Sequence, residues 1–477
     1  MRRLDGSSAF QLLSTKPKEY RHTLKIGIFD PSKIPGGWNY EQFKERLIKG
    51  MEFHPIFRCR IARVPFGLHR PVWVDDPEFD MEYHMRYVSC PAPGDNKALC
   101  ALISQIYAHP LDPDKPLWQT WVIDGLNGNQ VAVVNLVHHA YVDGTGAARL
   151  MERYFSHQPL DITPELAEWH AEETPSKSAL VLAALRDIPL SLIRSVPRVI
   201  HGMREMRRVR RQYAESGELP APNPFRDSRD SPFNILLSHR RTFVFGSLSL
   251  ESIRASAKAF GVTINDLFLA VVGDVYRQFM LERGYDADKG PLLATIPAER
   301  RPPVEQDDMI GNKVSADWLW LPVHIADPLE RLRYAQASSQ SMKKHFKAVE
   351  GADMASLMEI LPLPFLMLTG KLAKHNKQVV GLMGNAVLSN VRGPVEPLYM
   401  GQMQMTNWIS TGPVVPGMAI NITVWSYVDK FNLCIMADQK LLPDGWGMIE
   451  RFKESFNGYA ALAGTGNLAA SPRVRGS

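Results

Sequence analysis

The sequence predicts an α/β protein built as two mixed halves joined by a proline-rich connection. Three observations predict it. Strand-length apolar runs mix with apolar residues at helical spacing both before about residue 170 and after about residue 241. Between them, LPAPNPFRDSRDSPFN interrupts both periods with proline, serine and charge. The length of 477 residues, 45% hydrophobic and 22% charged, suffices to bury more than one core without disulfide or metal staples. The expected division is an N-terminal domain at 1–172, a helical, Arg-rich segment and linker at 173–240, and a C-terminal domain at 241–477.

In the first part, Leu24, Ile26 and Ile28 alternate with polar neighbours as in a half-buried strand. Phe43, Leu47 and Met51 recur at helical spacing. The run 130–137, QVAVVNLV, is apolar almost throughout and short, as in a central strand covered on both faces. Ala147, Leu150, Met151 and Tyr154 then mark the inner face of a helix. The order is strand, histidine-rich turn, helix.

In the connecting segment, Leu185, Ile188, Leu192, Val196, Val199, Met203 and Met206 form a stripe at spacings of three and four. Arg194, Arg198, Arg204, Arg207, Arg208, Arg210 and Arg211 occupy the other faces. Two readings stand side by side. The stripe packs on the body beneath a solvated basic face, or the helix lies on an anionic lipid surface.

After residue 241, RRTFVFGSLSL reads as a strand and LESIRASAKAF as a helix closed by Gly261. Thr263 caps a long, mostly buried helix, INDLFLAVVGDVYRQFM. LLATIPAE, SADWLWLPV, AVLSNVRGP, MAINITVWSYVD and FNLCIMAD read as strands.

Composition narrows the function. Fifty-five Lys and Arg against 50 Asp and Glu give a net charge of +5, too mild for a dedicated nucleic-acid binder. The four cysteines, Cys59, Cys90, Cys100 and Cys434, form no CxxC pair, which argues against a zinc site or disulfide framework and fits a reducing compartment. The amino terminus lacks a signal-peptide core. The longest apolar stretches are broken by Arg186, Asp187 and Pro189, and by Glu359, Pro362 and Pro364. A soluble or peripheral, cytoplasmic protein is expected.

The sharpest motif is His138-His139-Ala140-Tyr141-Val142-Asp143-Gly144, directly after the buried strand. An HHxxxDG string arises by chance in a chain of this length about once in a thousand. Alternation turns the two imidazoles to opposite sides, so one can face a cleft while the other packs inward. A neutral imidazole is suited to take a proton near pH 7. Asp143 either fixes its tautomer or holds the turn, and Gly144 and Gly146 permit close approach or unusual backbone angles. The bland alternatives are a structural pair or two metal ligands. No HExxH or Cys/His cluster supplies a third ligand, and no GxSxG elbow, Walker loop or Rossmann glycine pattern occurs.

The motif does not stand alone. Pro116-Leu117-Trp118 precedes it, and Ile264-Asn265-Asp266, Pro297-Ala298-Glu299-Arg300, Gly311-Asn312 and Ser389-Asn390-Val391-Arg392-Gly393-Pro394 follow in order. This set, over roughly residues 110 to 395, resembles the bacterial wax ester synthase/acyl-CoA:diacylglycerol acyltransferase family. The resemblance implies two chloramphenicol-acetyltransferase-like α/β domains meeting at a substrate tunnel. It also implies His139 as the catalytic base and His138 as its supporting neighbour, with Asp143 turned away to stabilise the loop.

The implied chemistry is acyl transfer from acyl-CoA to a fatty alcohol or diacylglycerol, with no metal or cofactor because the thioester is already activated. Asn265 is the candidate for oxyanion or substrate positioning, against a plain contact at a helix start. Gly144, Leu117, Trp118 and Asp266 are placed beside the substrate, with core packing for Leu117 and Trp118 and helix initiation for Asp266 as the competing roles. Asn390 and Arg392 are expected to be structural, locking the junction between halves, or pairing Arg392 with Asp143.

Burying an acyl methylene gains about 0.8 kcal/mol, so an apolar passage would hold a long chain without specific contacts. Apolar residues between Met354 and Met367, together with Met403 and Met405, offer such a lining or simply core. Contact with a membrane or lipid inclusion is a further expectation. Two other functions share these residues: a condensation-type acyltransferase fed by carrier-protein thioesters, and a non-catalytic lipid-surface protein.

Overall fold

The computed structural model describes residues 2–15, 17–52, 55–142, 146–147, 155–159, 171–224, 226–299, 311, 314–348 and 384–464. Among them the strands are β1 Arg2–Arg3, β2 His22–Asp30, β3 Cys59–Ala62, β4 Val72–Asp75, β5 Met85–Ser89, β6 Trp118–Asp124, β7 Val131–His138 and β8 Arg241–Ser249. They continue with β9 Leu292–Glu299, β10 Val314–Leu321, β11 Ala386–Val391, β12 Tyr399–Met400, β13 Met403–Thr411, β14 Ile420–Tyr427 and β15 Lys430–Asp438. The helices that matter below are α1 Gly6–Ser14, α2 Asn96–Tyr107, α3 Lys177–Ser216, α4 Leu250–Ala259, α5 Ile264–Leu281, α6 Pro328–Ala348 and α7 Trp446–Ala463.

Two six-stranded mixed sheets carry the two halves, in the orders β12-β13-β2-β7-β6-β5 and β10-β9-β11-β14-β15-β8. In the first sheet β2 and β7 pair antiparallel, with Leu24 opposite Leu136, Ile26 opposite Val134 and His22 opposite His138. Both strands are buried along nearly their whole length. That is why β7 reads as an unbroken apolar run. α2, capped by the Asp95 carboxylate, buries Leu99, Cys100, Ile103, Ile106 and Tyr107 along one stripe. It runs beside β8, where the Phe243 N–H donates to Ser104 Oγ, and its Tyr107 hydroxyl donates to the His22 carbonyl of β2.

The strands expected after residue 241 all form, and α4 ends at Gly261 with a positive φ of 67°. α5 is buried at almost every position from Asp266 to Val275, packed between α4, α6 and α7. Burial of each large apolar side chain there contributes about 1.5–3 kcal/mol, which explains a helix with little polar face. The proline-rich stretch before β8 has no regular structure but is not loose. Phe233 is wholly buried against Tyr276 and Phe279.

Two strands, β12 and β13, cross between the halves. β13 pairs antiparallel with β2, Ile409 opposite Ile26, and so belongs to the first sheet although it lies late in the chain. Residues 241–477 therefore supply all of the second sheet and two strands of the first. Asn432 of β15 donates to Asn407 and to the carbonyl of Trp408 on β13, stitching the two sheets together. Met403 and Met405 are core residues of this strand, each 1% exposed. The apolar stretch from Met354 to Met367 lies outside the described residues.

The stripe read in the connecting segment is only partly the packing face of α3: Val199 is buried and Ile188 and Met206 are half-buried. Leu185, Leu192, Val196 and Met203 are exposed, whereas Leu180, Ala184, Val199, Gly202, Val209 and Tyr213 are buried. Both faces are apolar, so periodicity alone could not choose between them.

Candidate active site

β7 ends at His138 and the chain turns immediately. Strand alternation parts the two rings: His138 is 2% exposed, and His139 is half-buried. Nδ1 of His138 accepts the Ala140 N–H at 3.1 Å, so the proton sits on Nε2, which donates to Thr15 Oγ1 at 2.8 Å. The Thr15 hydroxyl in turn donates to the Gln11 carbonyl at 2.9 Å. Burial, reinforced by the nearby charges of His22, His139 and Arg21, holds His138 well below the ordinary histidine range. His138 is thus a neutral, fully engaged support and not a proton acceptor.

His139 is set differently. Its backbone N–H donates to the Arg21 carbonyl at 2.7 Å, fixing where the ring leaves the chain. Its Nδ1 lies 3.3 Å from the Val142 carbonyl oxygen, which can only accept. Nδ1 therefore carries the proton, and the lone pair lies on Nε2. That is the tautomer a general base requires.

The turn beyond is clamped by its own residues. The buried Tyr141 hydroxyl donates to the Cys59 carbonyl at 2.6 Å and accepts the Leu117 N–H at 2.9 Å. Desolvation raises its pKa, so it stays protonated. The Tyr141 carbonyl accepts the Gly311 N–H at 2.7 Å, and Val142 forms a parallel bridge with Gly311. Gly311 has φ +91°, and a Cβ there would meet Asp5 Oδ2 at 2.6 Å. Only glycine fits between the turn and the capped start of α1. Asp143 and Gly144 lie outside the described residues, as does any pairing of Arg392 with Asp143.

Leu117 and Trp118 are 4% and 1% exposed. Trp118 stacks on His84 and donates its indole N–H to the Phe57 carbonyl at 2.8 Å. Both residues support β6 and the turn from the core. Asp266 is turned to its own helix: its Oδ2 accepts the Thr263 N–H at 3.0 Å in a reciprocal capping box. Asn265, half-buried in the same first turn, accepts from Asn390 Nδ2 at 3.4 Å. Two motifs that are 125 residues apart in sequence meet there. Arg392 is exposed. A Cβ on Gly393 would lie 2.1 Å from the Ser426 carbonyl oxygen, which accounts for the glycine after it.

Sequence reading gave no role to Thr15 or Arg21. Each reaches the histidine pair from more than a hundred residues away, and only the unusual burial of polar residues around β2 could have hinted at them. Among the described residues no group of three or more His, Cys, Asp or Glu side chains is placed to hold a metal ion.

Comparison with known proteins agrees in extent and order. The family model for the wax ester synthase/diacylglycerol acyltransferase catalytic domain matches residues 4–268, and that for the WS/DGAT C-terminal domain matches 310–459. A Mycobacterium tuberculosis protein provisionally named a diacylglycerol O-acyltransferase is 40% identical over 467 residues, covering 97% of this chain and 98% of its own. A second from that organism, also provisionally named so, is 31% identical over 95% of this chain and 89% of its own. Among solved structures, the wax ester synthase/diacylglycerol acyltransferase of Marinobacter aquaeolei superposes with a TM-score of 0.69 at 21% identity, covering 97% of this chain and 100% of that one. The first condensation domain of the CDA synthetase superposes at 0.62 and 13% identity, covering 100% and 98%. These neighbours show the fold: two chloramphenicol-acetyltransferase-like α/β domains.

Proposed function

Because the chain belongs to the wax ester synthase/diacylglycerol acyltransferase family, we propose that it transfers a long-chain acyl group from acyl-CoA to a fatty alcohol, and also to diacylglycerol, with His139 as the general base. The alcohol hydroxyl hydrogen-bonds to Nε2 of His139. As its oxygen attacks the thioester carbonyl, the proton passes to that nitrogen, and a tetrahedral oxyanion forms. The intermediate collapses with loss of CoA thiolate, which takes the proton back from the imidazolium. The ester product and free CoA leave, and the ring returns to its starting state.

The observation that carries this reading is the division of labour between the two histidines. His138 is desolvated and occupied at both ring nitrogens. His139 is half-buried, backbone-anchored to Arg21, and held in the Nε2-basic tautomer by the Val142 carbonyl. Asn265 is the proposed oxyanion or substrate-positioning donor: with its side-chain oxygen facing Asn390, its amide N–H pair is directed elsewhere. Asp143 serves the loop, and Arg392 the junction between halves. The acyl chain and the acceptor meet in a passage between the two domains. No metal or redox cofactor enters, since the thioester supplies the driving force. The enzyme works from the cytoplasm at the lipid surface where its water-insoluble acceptors reside.

The decisive experiment offers the purified protein palmitoyl-CoA with hexadecanol or with diacylglycerol and reads thiol release and ester formation. Replacing His139 by Ala should lower turnover by about 10²–10⁴-fold while the melting temperature is retained. Undiminished turnover in that variant would remove the general-base role. Release only from carrier-protein thioesters would remove acyl-CoA as donor.

A further inference from the structure

We propose that α3 is an in-plane anchor to an anionic membrane surface, with an apolar stripe inserted among the lipids and arginines on the headgroups. The inference stands apart from the acyl-transfer reading, because it uses no residue near His139. The helix is secured at both ends. Near its start Leu180 packs with Val72 and Val74 of β4, and Asp187 is held by Arg3 at 2.9 Å. Near its end the Tyr213 hydroxyl donates to the Ser341 carbonyl of α6 at 3.3 Å.

Between these anchorages the helix shows two apolar faces. At about 100° per residue, the buried Leu180, Ala184, Val199, Gly202, Val209 and Tyr213 share one side. Leu182, Leu185, Ile193, Val196, Ile200 and Met203 fall within a second arc of about 80°, roughly a third of a turn away. These six are exposed, Leu182 and Ile193 to 71%. Continued toward the C-terminus, the same arc carries Arg207 and Arg211, both exposed. An apolar stripe that runs into cations on one exposed helix face marks an interaction surface, not a solvated one.

Charge selects the partner. The helix holds nine basic residues against three acidic ones. Of the acids, Asp187 is already bound to Arg3 and Arg186, and Glu205 to Arg208. A second copy docked on this face would bring one arginine-rich helix against another, whereas interface centres are depleted in charge. Anionic headgroups complement both parts of the surface. Among the described residues no single helix is long and apolar enough to cross a membrane. The helix would therefore lie along the surface.

The test uses the full chain and flotation with phosphatidylcholine vesicles, with and without phosphatidylglycerol. The parent should float with the anionic vesicles and much less with the neutral ones. A Leu182→Glu/Ile193→Glu/Ile200→Glu variant, altered only at exposed positions, should keep its melting temperature and lose flotation. Arg207→Gln/Arg211→Gln should weaken partition by about fivefold for each arginine removed. His139→Ala should float like the parent, which separates this surface from catalysis. Equal flotation of the parent and the glutamate variant would overturn the proposal. So would a parent dimer that the glutamate variant abolishes while flotation is unchanged, which would assign the stripe to a second copy.

Discussion

Thr15 Oγ1 lies 2.8 Å from Nε2 of His138 and accepts a hydrogen bond from the proton that the Ala140 N–H, donating to Nδ1, places on that nitrogen of the buried ring beside His139. The contact joins the residue just beyond α1 to the last residue of β7, 123 positions away in sequence. Thr15, Arg21 and Gly311 thus hold three points of the turn from His138 to Val142 from outside it.

Thr15→Val removes the acceptor for the His138 N–H while keeping the side-chain shape. The buried donor left behind should cost about 1–3 kcal/mol, read as a lower urea midpoint. Turnover should fall with it, and Thr15→Ser should restore both.

Asn265→Ala tests the oxyanion assignment. Loss of a donor to the developing oxyanion should lower kcat by about 10²–10³-fold with little change in KM. Asn390→Ala, which removes only its neighbour, should cost much less. A fall in melting temperature that accounts for the lost activity of Asn265→Ala would return Asn265 to a purely structural role.

Acid should destabilise the fold from an unusually high pH. Burial, with the charge of Arg241, pushes His22 down to about 3, and His138 is likewise held low by burial. Both are neutral in the folded chain near pH 6, whereas their unfolded counterparts take up protons below about 6.5. The unfolded state then binds more protons, so stability falls as pH drops below about 6.5, down to the folded values. Each residue contributes a slope of about 1.4 kcal/mol per pH unit. His69, His84 and His324 are also held below the ordinary histidine range by burial and add to it. Urea titrations between pH 7 and 5 should show the combined slope, and His22→Gln should remove one histidine's share.

Arg241 and Asp438 form an ion pair 3.1 Å apart with no exposed side-chain surface. Arg241 also donates to the Lys18 carbonyl at 2.5 Å, in the stretch between Thr15 and Arg21. Arg241→Met leaves a buried carboxylate and should cost about 3–5 kcal/mol. Arg241→Met/Asp438→Asn removes the unpaired charge and should recover part of that loss in thermal denaturation. It should recover only part, because an amide has one acceptor oxygen where the carboxylate takes the Ser238 and Lys440 N–H groups on separate oxygens.

The parts of the site legible in the sequence are those that local pattern controls. β7 announces itself by continuous burial, α5 by its capping residue and apolar length, and the split between His138 and His139 by strand alternation. Thr15 and Arg21 were invisible because their contacts are tertiary and leave no period. β13 escaped because its register shifts between Met405 and Asn407, which blurs the alternation. The sequence left two readings of α3 open because apolar residues at helical spacing occur on both its buried and its exposed face.

The crossing of β13 bears on synthesis. While the chain is still on the ribosome, β2 has a bare edge until residue 411 has emerged, and such an edge is open to pairing with other nascent chains. A gene split at the proline-rich stretch would therefore yield two insoluble fragments, and the pair would become soluble only when expressed together.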